Sequence, residues 1–98
     1  MTGTTRSSAG LDPRRRRILY RSWHRGTREM DLLMGRFADA LISELSEEDV
    51  ADFEKLIEVE DPDLFGWINT GVPDPAFDTP IFHRFRLFHL SGESVPEI

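Results

Sequence analysis

Five apolar residues at helical spacing dictate the local structure in the middle of this chain. They lie at positions i, i+3, i+4, i+7 and i+11, on one side of an α-helix: Met30, Leu33, Met34, Phe37 and Leu41. The pattern predicts a helix from about Thr27 to Ser43 whose apolar side is buried. No alternating strand pattern competes with it elsewhere in the 98 residues.

Helix start signals recur along the rest of the chain. Asp, Ser and Thr cap the unpaired N–H groups of a helix, and proline at the first helical position loses no hydrogen bond. Such residues stand at four places: Asp12-Pro13, Ser46, Asp61-Pro62 and Thr79-Pro80. Glycine adopts a positive φ at low cost, so we expect Gly71 and Gly92 to end two of the helices.

These signals predict the organisation of the whole chain. We expect an all-α fold, a compact bundle of about five short helices joined by short turns. The bundle should form a single domain over residues 11–92, because 98 residues suffice for one modest core. We expect a disordered N-terminal arm at residues 1–10 and a flexible C-terminal tail at residues 93–98.

The residue types present exclude several kinds of chemistry. The chain has no cysteine, which removes disulfides, thiolate nucleophiles and the usual structural zinc sites. His83 and His89 are six residues apart and lie on different faces of a helix, so they cannot chelate one ion together. No Gly-rich phosphate loop follows a strand, and no carboxylate stands in the apolar surroundings that a general acid needs. We therefore predict a protein that is not an enzyme and firmly binds neither a metal nor a cofactor.

No apolar run approaches the roughly 20 residues that a membrane span requires. The N-terminus lacks the apolar segment of a secretory signal, although it is basic and rich in Ser and Thr. The expected location is the cytoplasm of a bacterium, or the mitochondrial matrix of a eukaryote, without membrane insertion.

Charge is distributed very unevenly along the chain. Residues 1–36 contain nine arginines and three acidic residues, whereas residues 37–98 contain three basic and fifteen acidic residues. Such polarity favours an oriented encounter with a charged partner. On the first helix the basic residues fall on one side: Arg14, Arg17, Arg21, His24 and Arg25. This arginine stripe is either a frayed, solvated first turn or a surface for an acidic partner or a phosphate.

A charged corner separates the first two predicted helices. Gly26 is well placed just past the end of the first helix, where a positive φ is needed. Arg25, Arg28 and Glu29 flank it. Arg25 and Glu29 are four residues apart, so they either form a surface ion pair across the corner or belong to a contact surface.

The corner also carries a family resemblance. Arg25-Gly26-Thr27-Arg28-Glu29 is an Arg-Gly-x-x-Glu motif, and Asp61-Pro62-Asp63-Leu64-Phe65 and Trp67-Ile68 follow it. In this order, from Arg16 to Phe88, the chain resembles the succinate dehydrogenase FAD assembly factors of the assembly factor 2 type. One departure is Thr27, where the family usually carries methionine, so that an apolar contact would be missing.

The resemblance implies a chaperone-like function. Such a factor binds the flavoprotein subunit of succinate dehydrogenase or fumarate reductase and promotes covalent FAD attachment, and the FAD belongs to the flavoprotein. The implied partner-binding residues surround the corner: Arg21, His24, Arg25, Gly26, Arg28 and Glu29.

The alternative is a small nucleic-acid-binding or antitoxin-type helical module that uses the arginine stripe. Against it, the acidic remainder of the chain would repel a polyanion. No helix rich in Asn, Gln and Arg follows the corner to read bases either. We therefore predict a protein partner and no nucleic acid.

Overall fold

Capped helices make up most of the chain. The computed structural model describes residues 10–91. Its helices are α1 (Pro13–Trp23), α2 (Arg28–Leu41), α3 (Glu47–Leu56), α4 (Asp61–Thr70) and α5 (Pro80–Leu90), with a 3-10 turn at Pro75–Phe77. No strand occurs within residues 10–91. The prediction of an all-α bundle of about five short helices is confirmed. The predictions for residues 1–9 and 92–98, including the helix end at Gly92, lie outside the described residues.

Four helices begin where the sequence indicated. In each case a Ser, Thr or Asp side chain accepts a hydrogen bond from the N–H three residues further on: Asp12, Thr27, Ser46 and Thr79. These bonds satisfy N–H groups that have no partner within the helix. α2 ends at Leu41, two residues before the predicted Ser43, because the chain turns there and the N–H of Glu44 donates to the Leu41 carbonyl.

The predicted cap of α4 is wrong. Its N-cap residue is Glu60, which makes no side-chain cap hydrogen bond, and Asp61 is the first helical residue. The Asp61 carboxylate instead accepts hydrogen bonds from Arg25 and Thr27. Gly71 ends α4 with φ of +77°, as predicted. The Asp61 side chain, which the sequence predicted as the cap of α4, thus makes tertiary contacts instead.

A cluster of phenylalanine rings forms the centre of the core. The Phe37 ring lies edge-on to those of Phe53, Phe85 and Phe88, with centroid separations of 5.5, 5.2 and 5.5 Å. Each helix contributes fully buried side chains, including Ile18, Phe37, Phe53, Leu64 and Phe85. Burial of these rings is the main driving force for bringing α2, α3 and α5 together.

α1 and α2 approach closely at Gly35. The Trp23 indole ring lies over Gly35, and a Cβ at that position would overlap the ring carbons. The indole N–H also donates to Asp39 Oδ1 at 3.2 Å. This contact fixes the end of α1 against the middle of α2 and so determines where the corner between them lies. No helix within residues 10–91 has the length and apolar character needed to cross a bilayer.

Candidate functional site

The loop between α1 and α2 has a backbone conformation that requires glycine. α1 ends at Trp23, and His24 is its C-cap residue. Gly26 has φ of +113°, which residues with a Cβ rarely adopt. Steric room is not the reason for glycine, since a Cβ on Gly26 would meet no atom within 4 Å. The prediction of a positive-φ glycine just past the helix end is confirmed.

The Arg25 side chain points into the protein. Its guanidinium donates to the backbone carbonyl of Ile57 at 2.5 Å, to that of Val59, and to Asp61 Oδ1 at 2.8 Å. Only 6% of the side chain is exposed. Arg25 therefore connects the corner to the end of α3 and the start of α4. It pairs with Asp61 instead of forming the surface ion pair with Glu29 that the spacing allowed.

Two carboxylates complete the corner. Asp31 Oδ1 accepts from the N–H groups of Arg25 and Gly26, at 2.6 and 3.3 Å. Asp61 Oδ2 accepts from the Thr27 hydroxyl at 3.0 Å. Neither carboxylate was among the site residues predicted from the sequence. Asp31 could have been found from its place in the first turn after the glycine, but no local pattern links Asp61 to a residue 36 positions away.

Five of the six predicted partner-binding residues are exposed: Arg21, His24, Gly26, Arg28 and Glu29. Of these, Arg21 donates to Glu58, and the side chain of the sixth residue, Arg25, is buried. Several of these side chains line a surface depression beside the corner, together with the segment that joins α3 to α4: Arg21, His24, Thr27, Glu58, Glu60 and Pro62. Arg25 is thus an internal brace of the corner, whereas His24, Gly26, Arg28 and Glu29 are exposed at its surface.

Most of the arginine stripe is engaged within the chain. Arg14 donates to Glu54 at 2.6 Å, and Arg21 donates to Glu58. With the contact of Arg25 to Asp61, the stripe follows acidic residues of α3, of the segment after it and of the start of α4. Neither sequence interpretation, a solvated first turn or a surface for another molecule, describes these arginines. Their acidic partner is the chain itself.

These contacts change the acidity of both partners. Hydrogen bonds from Arg14 and Arg21 lower the pKa of Glu54 and of Glu58, respectively. The same hydrogen bonds raise the pKa of each arginine. All four groups are therefore charged at neutral pH. Within residues 10–91 no three His, Asp or Glu side chains come together in a way that could hold a metal ion.

The fold and the corner define a small helical protein in which an Arg-Gly-x-x-Glu motif joins the first two helices. A family model described as "Flavinator of succinate dehydrogenase" matches residues 16–89, nearly the segment over which the resemblance was seen. The chain belongs to this family.

Individual relatives agree with this assignment. The FAD assembly factor SdhE of Acetobacter pasteurianus is 39% identical over 75 residues, which cover 76% of this chain and 69% of that protein. Succinate dehydrogenase assembly factor 2 of Dictyostelium discoideum is 41% identical over 73 residues, 72% of this chain and 51% of the relative. The Aspergillus terreus protein of the same name is 33% identical over 91 residues, 90% of this chain and 31% of the relative. The chain thus spans about half or less of these two mitochondrial relatives.

Proposed function

We propose that this chain is an assembly factor that binds the flavoprotein subunit of succinate dehydrogenase, or of fumarate reductase, and promotes its covalent attachment to FAD. Membership of the flavinator family supports this proposal and favours it over the nucleic-acid alternative. The observation that carries the proposal is that the corner has one buried arginine and an exposed surface beside it. Arg25 is anchored inside, while Gly26, Arg28 and Glu29 next to it face outward.

The outward residues suit a protein interface. Gly26 has no side chain to keep a partner from its backbone. Arg28 and Glu29 offer a guanidinium and a carboxylate for charge-assisted hydrogen bonds, which give an interface its register and specificity. Arg25 and Arg21 act through the corner, because they hold it against Asp61 and Glu58. We therefore propose Arg25 and Arg21 as positioning residues, and His24, Gly26, Arg28 and Glu29 as contact residues.

The proposed mechanism requires no catalytic group from this chain. A factor that binds one arrangement of a mobile flavoprotein more tightly than the others shifts the population toward that arrangement. Attachment then occurs in a closed, preorganised site of the flavoprotein. The FAD belongs to the flavoprotein throughout. The encounter takes place in the cytoplasm of a bacterium, or in the mitochondrial matrix if the source is a eukaryote.

Coexpression with the flavoprotein subunit tests the proposal. We expect Arg28→Ala and Glu29→Ala to reduce covalent flavin strongly, since each leaves a partner group in the interface without its charge. Covalent flavin is read by in-gel fluorescence of the flavoprotein, beside a thermal melt of each isolated variant. Glu44→Ala is the matched control, because Glu44 is exposed away from the corner.

The thermal melt reports loss of folding and the flavin fluorescence reports loss of docking, so the two effects can be distinguished. Arg28 and Glu29 have exposed side chains, so both variants should melt within a few degrees of the wild type. Wild-type fluorescence with both variants would refute docking through this corner. Equal loss with Glu44→Ala would show that the effect is not specific to the corner.

A further inference from the structure

Some arginines of α1 are paired within the chain and others are not. Arg14 pairs with Glu54 of α3, and Arg21 pairs with Glu58 in the segment after α3. Arg16 and Arg17 are exposed, and neither side chain makes a hydrogen bond or ion pair with another residue of the described segment 10–91. α1 itself contains no acidic residue. Arg17 acts on Glu54 through its charge alone and helps to lower the pKa of Glu54. Arg16 and Arg17 therefore leave positive charge on the exposed outer side of the helix that no hydrogen bond or ion pair within residues 10–91 takes up.

Tyr20 and His24 lie on the same outer side. At about 100° per residue, positions 16, 17, 20 and 24 fall within an arc of about 100°. The Tyr20 and His24 rings are stacked, with centroids 4.0 Å apart and planes 16° from parallel. His24 Nδ1 lies 2.7 Å from the Tyr20 carbonyl oxygen. Because that oxygen can only accept, Nδ1 carries the proton and donates, which fixes the ring and leaves Nε2 for another molecule.

We propose that this outer face of α1, formed by Arg16, Arg17, Tyr20 and His24, is a second docking surface that receives an acidic surface of the flavoprotein. The inference rests on the proposed function and extends its interface beyond the corner. His24 belongs to both surfaces, so the outer face and the corner are continuous.

Three observations favour an acidic protein surface as the occupant. The face is positively charged and its two arginines form no ion pair within residues 10–91, so the complementary surface is negative. Tyr20 is 63% exposed, and aromatic residues and arginine are the types enriched at protein interfaces. The stacked pair is already ordered, so binding loses little side-chain entropy there.

A nucleic acid would meet the same two arginines but would also approach a strongly acidic protein. Residues 37–98 carry fifteen acidic and three basic residues, which opposes a polyanion. A protein surface can present its acidic groups to α1 alone. The two occupants are separated by experiment below.

The test measures binding of the full chain to the purified FAD-free flavoprotein subunit of succinate dehydrogenase from the same organism. The key variant is Arg16→Glu/Arg17→Glu. Glutamate in the first turns of a helix interacts favourably with the macrodipole, so α1 is expected to remain folded. Lys55→Glu/Arg84→Glu is the control with the same change in net charge, at exposed positions on α3 and α5; of the two, Arg84 has one ion-pair contact, with Asp49 at 3.9 Å.

We expect Arg16→Glu/Arg17→Glu to weaken binding by about tenfold or more at about 50 mM salt and to make Kd less dependent on salt. Tyr20→Ala should weaken binding with the salt dependence unchanged, because it removes contact area and no charge. The control should stay within about twofold of the wild type, since its charges lie away from the face.

Three results would overturn the inference. If Arg16→Glu/Arg17→Glu binds like the wild type while Glu29→Ala does not bind, the corner docks alone and the proposed function stands. If the wild-type chain does not bind the flavoprotein, both proposals fall. If the wild type binds a short DNA duplex at about 150 mM salt and the double variant does not, the face is a nucleic-acid surface instead.

Discussion

Arg25 Nη2 lies 2.8 Å from Asp61 Oδ1, in an ion pair that joins residues 36 positions apart. The Arg25 and Asp61 side chains are 6% and 20% exposed. Because the same guanidinium also binds two backbone carbonyls, this arginine holds three segments together: the corner, the end of α3 and the start of α4. The arginine of the Arg-Gly-x-x-Glu motif is therefore a structural brace beside an exposed surface.

Replacing Arg25 should destabilise the fold. Arg25→Ala leaves the Asp61 carboxylate and two carbonyls without their donor, and breaking a largely buried pair in this way costs about 3 kcal/mol of unfolding free energy. Arg25→Lys keeps the charge but cannot form the fork, so an intermediate loss is expected. Urea unfolding followed by circular dichroism measures both. Arg28→Ala, on the exposed side of the corner, should stay within about 0.5 kcal/mol of the wild type. If Arg25→Ala is as stable as the wild type, Arg25 does not brace the fold.

Gly35 and Gly66 should respond in opposite ways to alanine. At Gly35 the new methyl group would overlap the Trp23 ring, so Gly35→Ala should lower the unfolding free energy by about 1–3 kcal/mol. At Gly66, also within a helix, a Cβ meets nothing within 4 Å. Gly66→Ala should raise the unfolding free energy by about 0.5–1 kcal/mol through its helix propensity. Chemical denaturation of both variants provides the comparison, and a stabilised Gly35→Ala would show that α1 does not approach α2 as described.

Thr27 is the N-cap residue of α2 and also contacts α4. Its hydroxyl accepts from the N–H of Met30 and donates to Asp61. Thr27→Met, which removes the hydroxyl, should therefore cost about 1 kcal/mol of unfolding free energy. Thr27→Ser keeps both hydrogen bonds and should change it by less than about 0.5 kcal/mol. Thermal melts with calorimetry distinguish them. Equal stability of Thr27→Met and the wild type would mean that an apolar contact compensates for the cap.

The ion pairs of Arg14 with Glu54 and of Arg21 with Glu58 predict a loss of stability in acid. Hydrogen bonds from Arg14 and Arg21 hold the pKa of Glu54 and of Glu58 below the ordinary value of 4.5. The unfolded chain therefore takes up these protons at higher pH than the folded protein does. The stabilisation is complete above the unfolded pKa and is lost as the pH falls through the folded pKa.

Melting temperature against pH measures this contribution. We expect Glu54→Gln/Glu58→Gln to be less stable than the wild type at neutral pH and to lose less stability between about pH 5 and pH 3. Glu47 is more exposed than Glu54, so Glu47→Gln should change the pH profile less. Parallel profiles for the wild type and the double variant would contradict the prediction.

The sequence by itself determined the elements of this protein and the position of its corner. Helix stripes and caps depend on residues three or four positions apart, and their hydrogen bonds form within one turn. The starts at Asp12, Thr27, Ser46 and Thr79 could therefore be read directly. The positive φ of Gly26 followed from the same local reasoning, since it marks the break between two helical patterns.

Only the tertiary structure decided which charges are exposed and which are paired within the chain. Arg25 and Arg28 are both arginines beside Gly26, and the sequence does not distinguish their roles. In the structure the Arg25 side chain is buried against Asp61, whereas Arg28 is exposed. Likewise, Arg14 and Arg21 form ion pairs with Glu54 and Glu58, whereas Arg16 and Arg17 form none within residues 10–91. These outcomes depend on where α3 packs against α1, a placement set by burial of the shared core. Pairing across some 30 to 40 residues leaves no periodic signal in the sequence, because it depends on the relative position of helices and not on spacing along one of them.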